Sequence, residues 1–103
     1  MTTETYFLKD GRVTFRKTPA ARLLYGWDLA EWLAETGTSV RSVTGTGIGI
    51  TPDAAPFIQG TTLCIWIAGL DEAAGADNSY TFCFVCLDTS IEYRAIHFIK
   101  RPA

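Results

Sequence analysis

Three cysteines and one histidine are the residues of this 103-residue chain best suited to hold a metal ion or to carry redox chemistry. Cys83 and Cys86 have the Cys-x-x-Cys spacing of thioredoxin-like sites, where the pair begins a helix that lowers the thiol pKa. Aromatic and β-branched residues flank this pair, and they predict a strand instead. Side chains three residues apart in a strand point to opposite faces, so we expect the two sulfurs to stay apart.

A zinc site would need Cys64, Cys83, Cys86 and His97 to converge from three predicted strands, without the tight-turn spacing of structural zinc sites. Cys64 could lie near either of the other thiols on a neighbouring strand, but such cysteines are commonly small buried hydrophobic residues. The odd number of cysteines also disfavours a secreted disulfide scaffold. We therefore predict no metal site and no bound cofactor.

Two further patterns could carry chemistry, and neither favours an enzyme. Gly45, Gly47 and Gly49 alternate with other residues and run into a proline, whereas a dinucleotide loop needs G-x-G-x-x-G followed by a helix. They predict glycines in a strand, at a bend or bulge. Asp71 and Glu72 are adjacent and so are not placed to face each other across a cleft. With one histidine and no nucleophile motif, the sequence predicts no catalytic residues.

The composition and the charge distribution argue against nucleic acid and membranes as partners. Apolar residues make up 48% of the chain, enough for one hydrophobic core, and the net charge is −2. Lysines and arginines are scattered, whereas nucleic-acid binding requires a concentrated basic face. The N-terminus lacks the pattern of a signal peptide, and the longest apolar-rich stretch is far shorter than a membrane span. We expect a soluble protein made in the cytoplasm that binds neither nucleic acid nor membrane.

Alternation of apolar and polar residues predicts a series of short strands separated by turn residues. Residues 1–11 are polar and end at an Asp-Gly turn, and we expect them to form a flexible N-terminal segment. Residues 12–103 are expected to form a single domain. Strands are predicted at 12–17, 21–27, 39–44 with a Gly-interrupted continuation up to 51, 60–70, 79–87 and 91–101. Residues 51–60 are predicted to be a proline-containing loop, and 71–78 a turn.

The stretch YGWDLAEWL, residues 25–33, joins the second and third of these strands. Asp28 is placed to accept hydrogen bonds from the amides that follow it, as a helix N-cap or an Asx turn. One helical turn near 28–34 is predicted, which returns Trp32 and Leu33 to the core and ends at Gly37. Six or seven short strands with this spacing predict an all-β sandwich or barrel, and the turn would cover one open end.

Several short patches resemble small tail-associated proteins of tailed bacteriophages and prophages, which are described as fibre–tail adaptors or minor virion proteins. The resemblance covers about residues 15–100. The matching positions are Lys17 and Pro19, Tyr25, Asp28, Trp32 and Leu33, Thr62 with Trp66 and Gly69, and Tyr80 with Thr81. It implies an immunoglobulin-like antiparallel β-sandwich of about seven strands, with a structural role and neither catalysis nor cofactor.

The resemblance further implies that the partners are other phage structural proteins, of the tail, the fibre or the head–tail region, and copies of the chain itself. The protein would then lie in the virion, and in the host cytoplasm during assembly. Phe57 and Ile58 are interface candidates because they are unusually apolar for the predicted loop, although burial beneath that loop would also explain them. The alternative function is an immunoglobulin-like module that binds carbohydrate or protein, which requires at least two of Trp27, Trp32 and Trp66 to be exposed and coplanar.

Overall fold

The computed structural model describes residues 3–70 and 78–100, which form two β-sheets and one short helix. The all-β prediction is confirmed. In chain order the elements are β1 Phe7–Lys9, β2 Arg12–Lys17, β3 Leu23–Asp28, α1 Ala30–Thr36, β4 Val40–Ile48, β5 Ile50–Pro52, β6 Phe57–Gln59, β7 Thr62–Leu70, β8 Asn78–Cys86 and β9 Ile91–Lys100.

The first sheet has five strands in the order β1-β2-β9-β8-β4, and the second has β3-β7-β5, with β6 also paired to β7. The predicted central position of residues 60–70 is confirmed, because β7 has neighbours on both sides and buried residues on both faces. All pairs are antiparallel except β2 with β9, which are parallel. A parallel pair needs a long connection, and here residues 18–90 lie between the two strands.

Aromatic side chains from the two sheets meet in the core. Tyr25 of β3 lies edge-on to Phe15 of β2 and to Phe98 of β9, with ring centroids 5.0 and 4.9 Å apart. Tyr80 and Phe82 of β8 form a further edge contact at 5.1 Å. These rings are almost fully buried, and each contributes about 1.5–3 kcal/mol through removal of its surface from water. The two sheets therefore pack face to face across one core.

The turn predicted at Asp28 is present. Its Oδ1 accepts hydrogen bonds from the amide of Ala30 and from the hydroxyl of Thr61, both at 2.9 Å. The first of these closes an Asx turn before α1. The helix ends at Gly37, whose left-handed φ of 71° allows its amide to donate to the carbonyl oxygen of Leu33.

The described residues contain nine strands instead of about seven, because three short strands add to the six longer ones. β1 and β6 lie where the sequence predicted none, and β5 begins in the predicted Gly-interrupted continuation of the 39–44 strand. β1 falls within the segment 1–11, and in the same segment the amide of Glu4 donates to the carbonyl oxygen of Leu24. The N-terminal segment thus pairs with both sheets. β5 and β6 fall at the two ends of the predicted loop 51–60. Strands of three residues are too short to show alternation, so they depend on their neighbours for detection.

Candidate functional site

The outer surface of the first sheet carries a face without charged residues. Cross-strand register places outward residues of β4, β8 and β9 in four rows, which together we call the uncharged face. The rows are Ser42 with Val85 and Ile91, Thr44 with Cys83 and Tyr93, Thr46 with Thr81 and Ala95, and Ile48 with Ser79 and His97. Aspartate, glutamate, lysine and arginine are absent from all twelve positions.

Large apolar side chains of this face are exposed to solvent. The exposed fraction is 62% for Ile48, 58% for Ile91 and 61% for Tyr93, and Leu87 at the end of β8 is exposed as well. An antiparallel sheet with one face in water normally carries charged and polar residues there. Ile91 and Tyr93 are neighbours on the same face of β9, and exposed apolar side chains grouped in this way can mark an interaction surface.

Tyr93 and Cys83 form a side-chain pair at the centre of this face. They are direct partners in the register of β8 and β9. A hydrogen bond between the two side chains raises the pKa of the Tyr93 hydroxyl above its ordinary value. The ring of Tyr93 is nevertheless exposed to solvent.

The charged residues of β9 point toward the opposite side of the sheet. Arg94 lies close to the rings of Trp27, Trp32 and Phe84, with its guanidinium carbon 5.9, 5.4 and 5.6 Å from their centroids. It also forms an ion pair with Glu92 at 3.4 Å. On β9, charged residues are therefore absent from the uncharged face but present on the opposite side of the strand.

The predicted interface candidates lie in the second sheet. Phe57 and Ile58 are half-buried residues of β6, where they pair with Cys64 and Leu63 of β7. Ile58 packs against the hydrophobic core. Neither residue belongs to the uncharged face, since that face is on the other sheet.

The three tryptophans are half-buried and lie in two places. Trp27 and Trp32 pack against the core near α1, and Trp32 makes an edge contact with Phe84 at 5.5 Å. Trp66 is on β7 of the second sheet, and the guanidinium of Arg22 lies 4.2 Å from its ring centroid. Arg22 is paired with Asp53. The rings are therefore engaged by residues of the chain itself.

The cysteines are free thiols in three separate environments. Cys64 is buried in the second sheet, whereas Cys83 and Cys86 lie on opposite faces of β8, as their spacing predicted. Within residues 3–70 and 78–100, no group of three or more His, Cys, Asp and Glu side chains could hold a metal ion. Asp71 and Glu72 lie outside the described residues, as does most of the predicted turn 71–78.

The fold explains two residues whose roles are structural: Lys17, which is buried, and Gly45, which has a neighbouring ring where a side chain would lie. Lys17 is fully buried at the end of β2 and donates to three backbone carbonyl oxygens. Gly45 faces Tyr80, whose ring occupies the space that a β-carbon at position 45 would need. The prediction of strand glycines is confirmed at Gly45 and Gly47, which belong to β4.

The part of the chain that the structure describes contains no helix long and apolar enough to cross a membrane. A scan against protein-family models found no match to the chain, and a search of curated proteins found none either.

The uncharged face could not be recognised from the sequence, although part of its signal was present. Alternate positions of residues 79–85 are uncharged, but so are the positions between them. What distinguishes the face is the register that brings Thr44 and Tyr93 alongside Cys83. Register between strands distant in sequence depends on the whole fold, so single-strand patterns cannot supply it.

Proposed function

We propose that this chain is a non-catalytic structural or adaptor protein of a bacteriophage or prophage particle. In this proposal, the uncharged face of β4, β8 and β9 packs against a neighbouring protein of the particle. The observation that carries the proposal is the set of twelve neighbouring surface positions on those strands, none of which carries a charged residue. The resemblance of residues 15–100 to tail-associated proteins supports the choice of particle.

The proposal includes an immunoglobulin-like fold, and the strand order supports it. In that fold, strands B, E and D form one sheet and C, F and G form the other. If β3, β4, β7, β8 and β9 correspond to B, C, E, F and G, then B pairs with E, and F lies between C and G, as expected. The difference is β2, which pairs with the last strand and not with β3.

The absence of charge on the face favours a lasting contact over a transient one. A charged side chain that is buried without a partner in an interface costs about 2–5 kcal/mol. A face with no such side chain can be covered without that penalty. Lasting interfaces also have more apolar cores than transient ones, and Val85, Ile91 and Tyr93 provide such a core here.

The alternative, a module that binds carbohydrate, requires tryptophan rings in one exposed plane. Trp66 is on the second sheet under Arg22, whereas Trp27 and Trp32 lie near Arg94. Half-buried rings that contact guanidinium groups of the same chain favour packing over a sugar platform.

The proposal can be tested on particles purified from an induced culture of the host that encodes the chain. Mass spectrometry should detect the chain at a constant ratio to the major particle proteins. Thr44→Lys places a charge in the centre of the face and should reduce incorporation by more than about tenfold, as expected from the cost of an unpaired buried charge. Ala34→Lys, on the exposed surface of α1, is the matched control and should be incorporated normally.

Both variants should have the thermal stability of the unmodified protein, because both positions are exposed. Absence of the chain from the particles, or equal incorporation of the two variants, would contradict the proposal. Neighbouring genes give an independent check: portal, tail or fibre genes would support the role, and a metabolic operon would count against it.

A further inference from the structure

β4 is an edge strand of the first sheet, and its outer side has no partner strand among residues 3–70 and 78–100. Its residues, Val40–Ile48, pair with β8 on one side only. No backbone hydrogen bond joins this strand to a described segment other than β8. The amide and carbonyl groups along the open side can therefore pair with a further strand, as in proteins that bind by strand addition.

The other sheet edges in the described part of the chain are short or covered. β1, β5 and β6 have three residues each, and β5 contains Pro52. β3 is longer, but the amide of Glu4 donates to the carbonyl oxygen of Leu24 on it. Short strands, prolines and covering segments are common means by which proteins prevent pairing between edges. Within residues 3–70 and 78–100, β4 is therefore the one long edge without such protection.

The features of β4 that would hinder pairing are confined to its first residues. The bulge lies between Val40 and Ser42, and Arg41, the only charged residue of the strand, lies at the same place. From Ser42 to Ile48 the register with β8 is regular, and the sequence has neither charge nor proline. This part of the edge is a suitable template for another strand.

We propose that β4 pairs antiparallel with β4 of a second copy of the chain, about a two-fold axis that passes near Gly45 perpendicular to the sheet. A two-fold axis brings the same surface of each copy together. With the axis at Gly45, the segment Ser42–Ile48 of each copy would lie opposite the same segment of the other, and Thr44 opposite Thr46. Arg41 would lie outside the paired segment, so no like charges would face each other.

Continuity of the uncharged face favours a second copy over an unrelated strand. Residues opposite each other in an antiparallel pair have side chains on the same face of the sheet. Thr44, Thr46 and Ile48 belong to the uncharged face, so pairing would join the faces of two copies into one surface of twice the width. Ile48, which is 62% exposed, would lie beside Ser42 of the other copy and lose part of its contact with water.

The dimer should be weak. Pairing along one strand buries less than the roughly 800 Å² per partner that is typical of a stable interface. We therefore expect a monomer–dimer equilibrium with a Kd in the micromolar range. This equilibrium belongs to the isolated chain and does not require the proposed role in a particle.

Analytical ultracentrifugation from low to high micromolar concentration, combined with hydrogen–deuterium exchange, tests the proposal on the unmodified protein. The average mass should rise toward that of a dimer. Rapidly exchanging amides of Ser42–Ile48 should become protected over the same range, whereas those of Phe7–Lys9 at the opposite edge should not change. A monomer at every concentration, or protection confined to other strands, would overturn the proposal.

A double variant, Thr44→Lys with Thr46→Lys, places lysines opposite each other across the axis and should raise the Kd by more than about tenfold. The matched control is Tyr93→Lys with Ala95→Lys, which adds the same charge to β9, two strands away. That separation is about 10 Å, beyond the Debye length of about 8 Å at physiological salt, so the control should dimerise normally. Equal effects of the two double variants would overturn the proposal.

The same control separates this proposal from the proposed function. It charges the uncharged face and should reduce incorporation into particles, but it should leave the dimer intact. If the isolated chain were monomeric and its β4 amides were protected only in particles, the edge would bind a different particle protein, and the second-copy proposal would be wrong.

Discussion

The Nζ of Lys17 lies 2.5 Å from the carbonyl oxygen of Ala21, four residues further along the chain. The same ammonium donates to the carbonyl oxygens of Thr18 and Pro19 at 2.9 and 3.1 Å. All three of its protons are thus engaged, and the residue has no exposed surface. The lysine-x-proline step seen in the sequence is therefore a structural element, in which the last residue of β2 fixes the turn that leads to β3.

Replacement of Lys17 by methionine should lower the free energy of unfolding by about 2–4 kcal/mol, because methionine fills the space but leaves the three carbonyl oxygens without a donor. Urea unfolding of the variant measures this difference. Lys9→Met, at an exposed position of β1, is the control and should change stability by less than about 0.5 kcal/mol. If the two variants were equally stable, the turn would not depend on Lys17.

Stability should decrease above about pH 8.5, where thiols of the unfolded chain ionise. Burial raises the pKa of the Cys64 thiol, although a hydrogen bond with the backbone of Gln59 opposes the shift. The folded state therefore retains a proton that the unfolded state loses. The stabilisation that this difference provides is fully present below the ordinary thiol pKa and is lost as pH rises through the raised pKa of Cys64. Burial raises the pKa of Tyr80 as well, which adds a decrease of the same sign at higher pH.

Cys64→Ala isolates the thiol contribution when unfolding is measured between about pH 7.5 and pH 10. The variant should show a shallower decrease of stability with pH than the unmodified protein. Burial also lowers the pKa of Lys17, which makes stability rise with pH instead of fall. This effect is the same in both proteins and cancels in the comparison. Parallel stability curves for the two proteins would show that Cys64 does not titrate on unfolding.

Two glycines of β4 should differ in their tolerance of alanine. A β-carbon at Gly45 would overlap the ring of Tyr80, which is held by the core, so Gly45→Ala should cost about 1–3 kcal/mol. At Gly47 the closest atom is Cδ1 of Ile50, the end of a flexible side chain, so Gly47→Ala should cost less. Thermal unfolding compares the two variants directly. A larger loss at position 47 would mean that the Tyr80 ring moves more easily than the structure implies.

The stacking of Arg94 should contribute more to stability than its ion pair does. Glu92 is partly exposed, and an exposed ion pair is worth at most about 1 kcal/mol. Lysine at position 94 keeps the charge but loses the planar guanidinium that lies near Trp27, Trp32 and Phe84. Arg94→Lys should therefore destabilise the protein more than Glu92→Gln, and it should also change the tryptophan fluorescence. The reverse order would assign the stabilisation to the ion pair.

The sequence was sufficient to predict the parts of the fold that depend on local patterns. Alternation located all six longer strands, and the position of Asp28 located the turn before α1. The parallel pairing of β2 with β9 could not be predicted, because nothing local to Arg12–Lys17 specifies a partner at the other end of the chain.

The candidate site depends on contacts between distant segments and was therefore missed. The sequence predicts Phe57 and Ile58 as interface candidates because they are apolar within a predicted loop. That loop ends in β6, however, and pairing with β7 accounts for their half-buried state. No local pattern in the sequence predicts a role for Tyr93, because its exposure and its pairing with Cys83 follow from the register of β8 and β9.

The central claim, that the uncharged face is covered in an assembled particle, can be tested most directly with Cys83 as a reporter. Cys83 is half-exposed in this face, whereas Cys64 and Cys86 are buried. The rate of maleimide labelling at Cys83 should be measured for the isolated protein and for the protein in intact particles, with labelled peptides identified by mass spectrometry. We predict rapid labelling of the isolated chain and labelling at least about tenfold slower in particles, as for a residue in a dry interface core. Equal labelling rates in the two states would contradict the account.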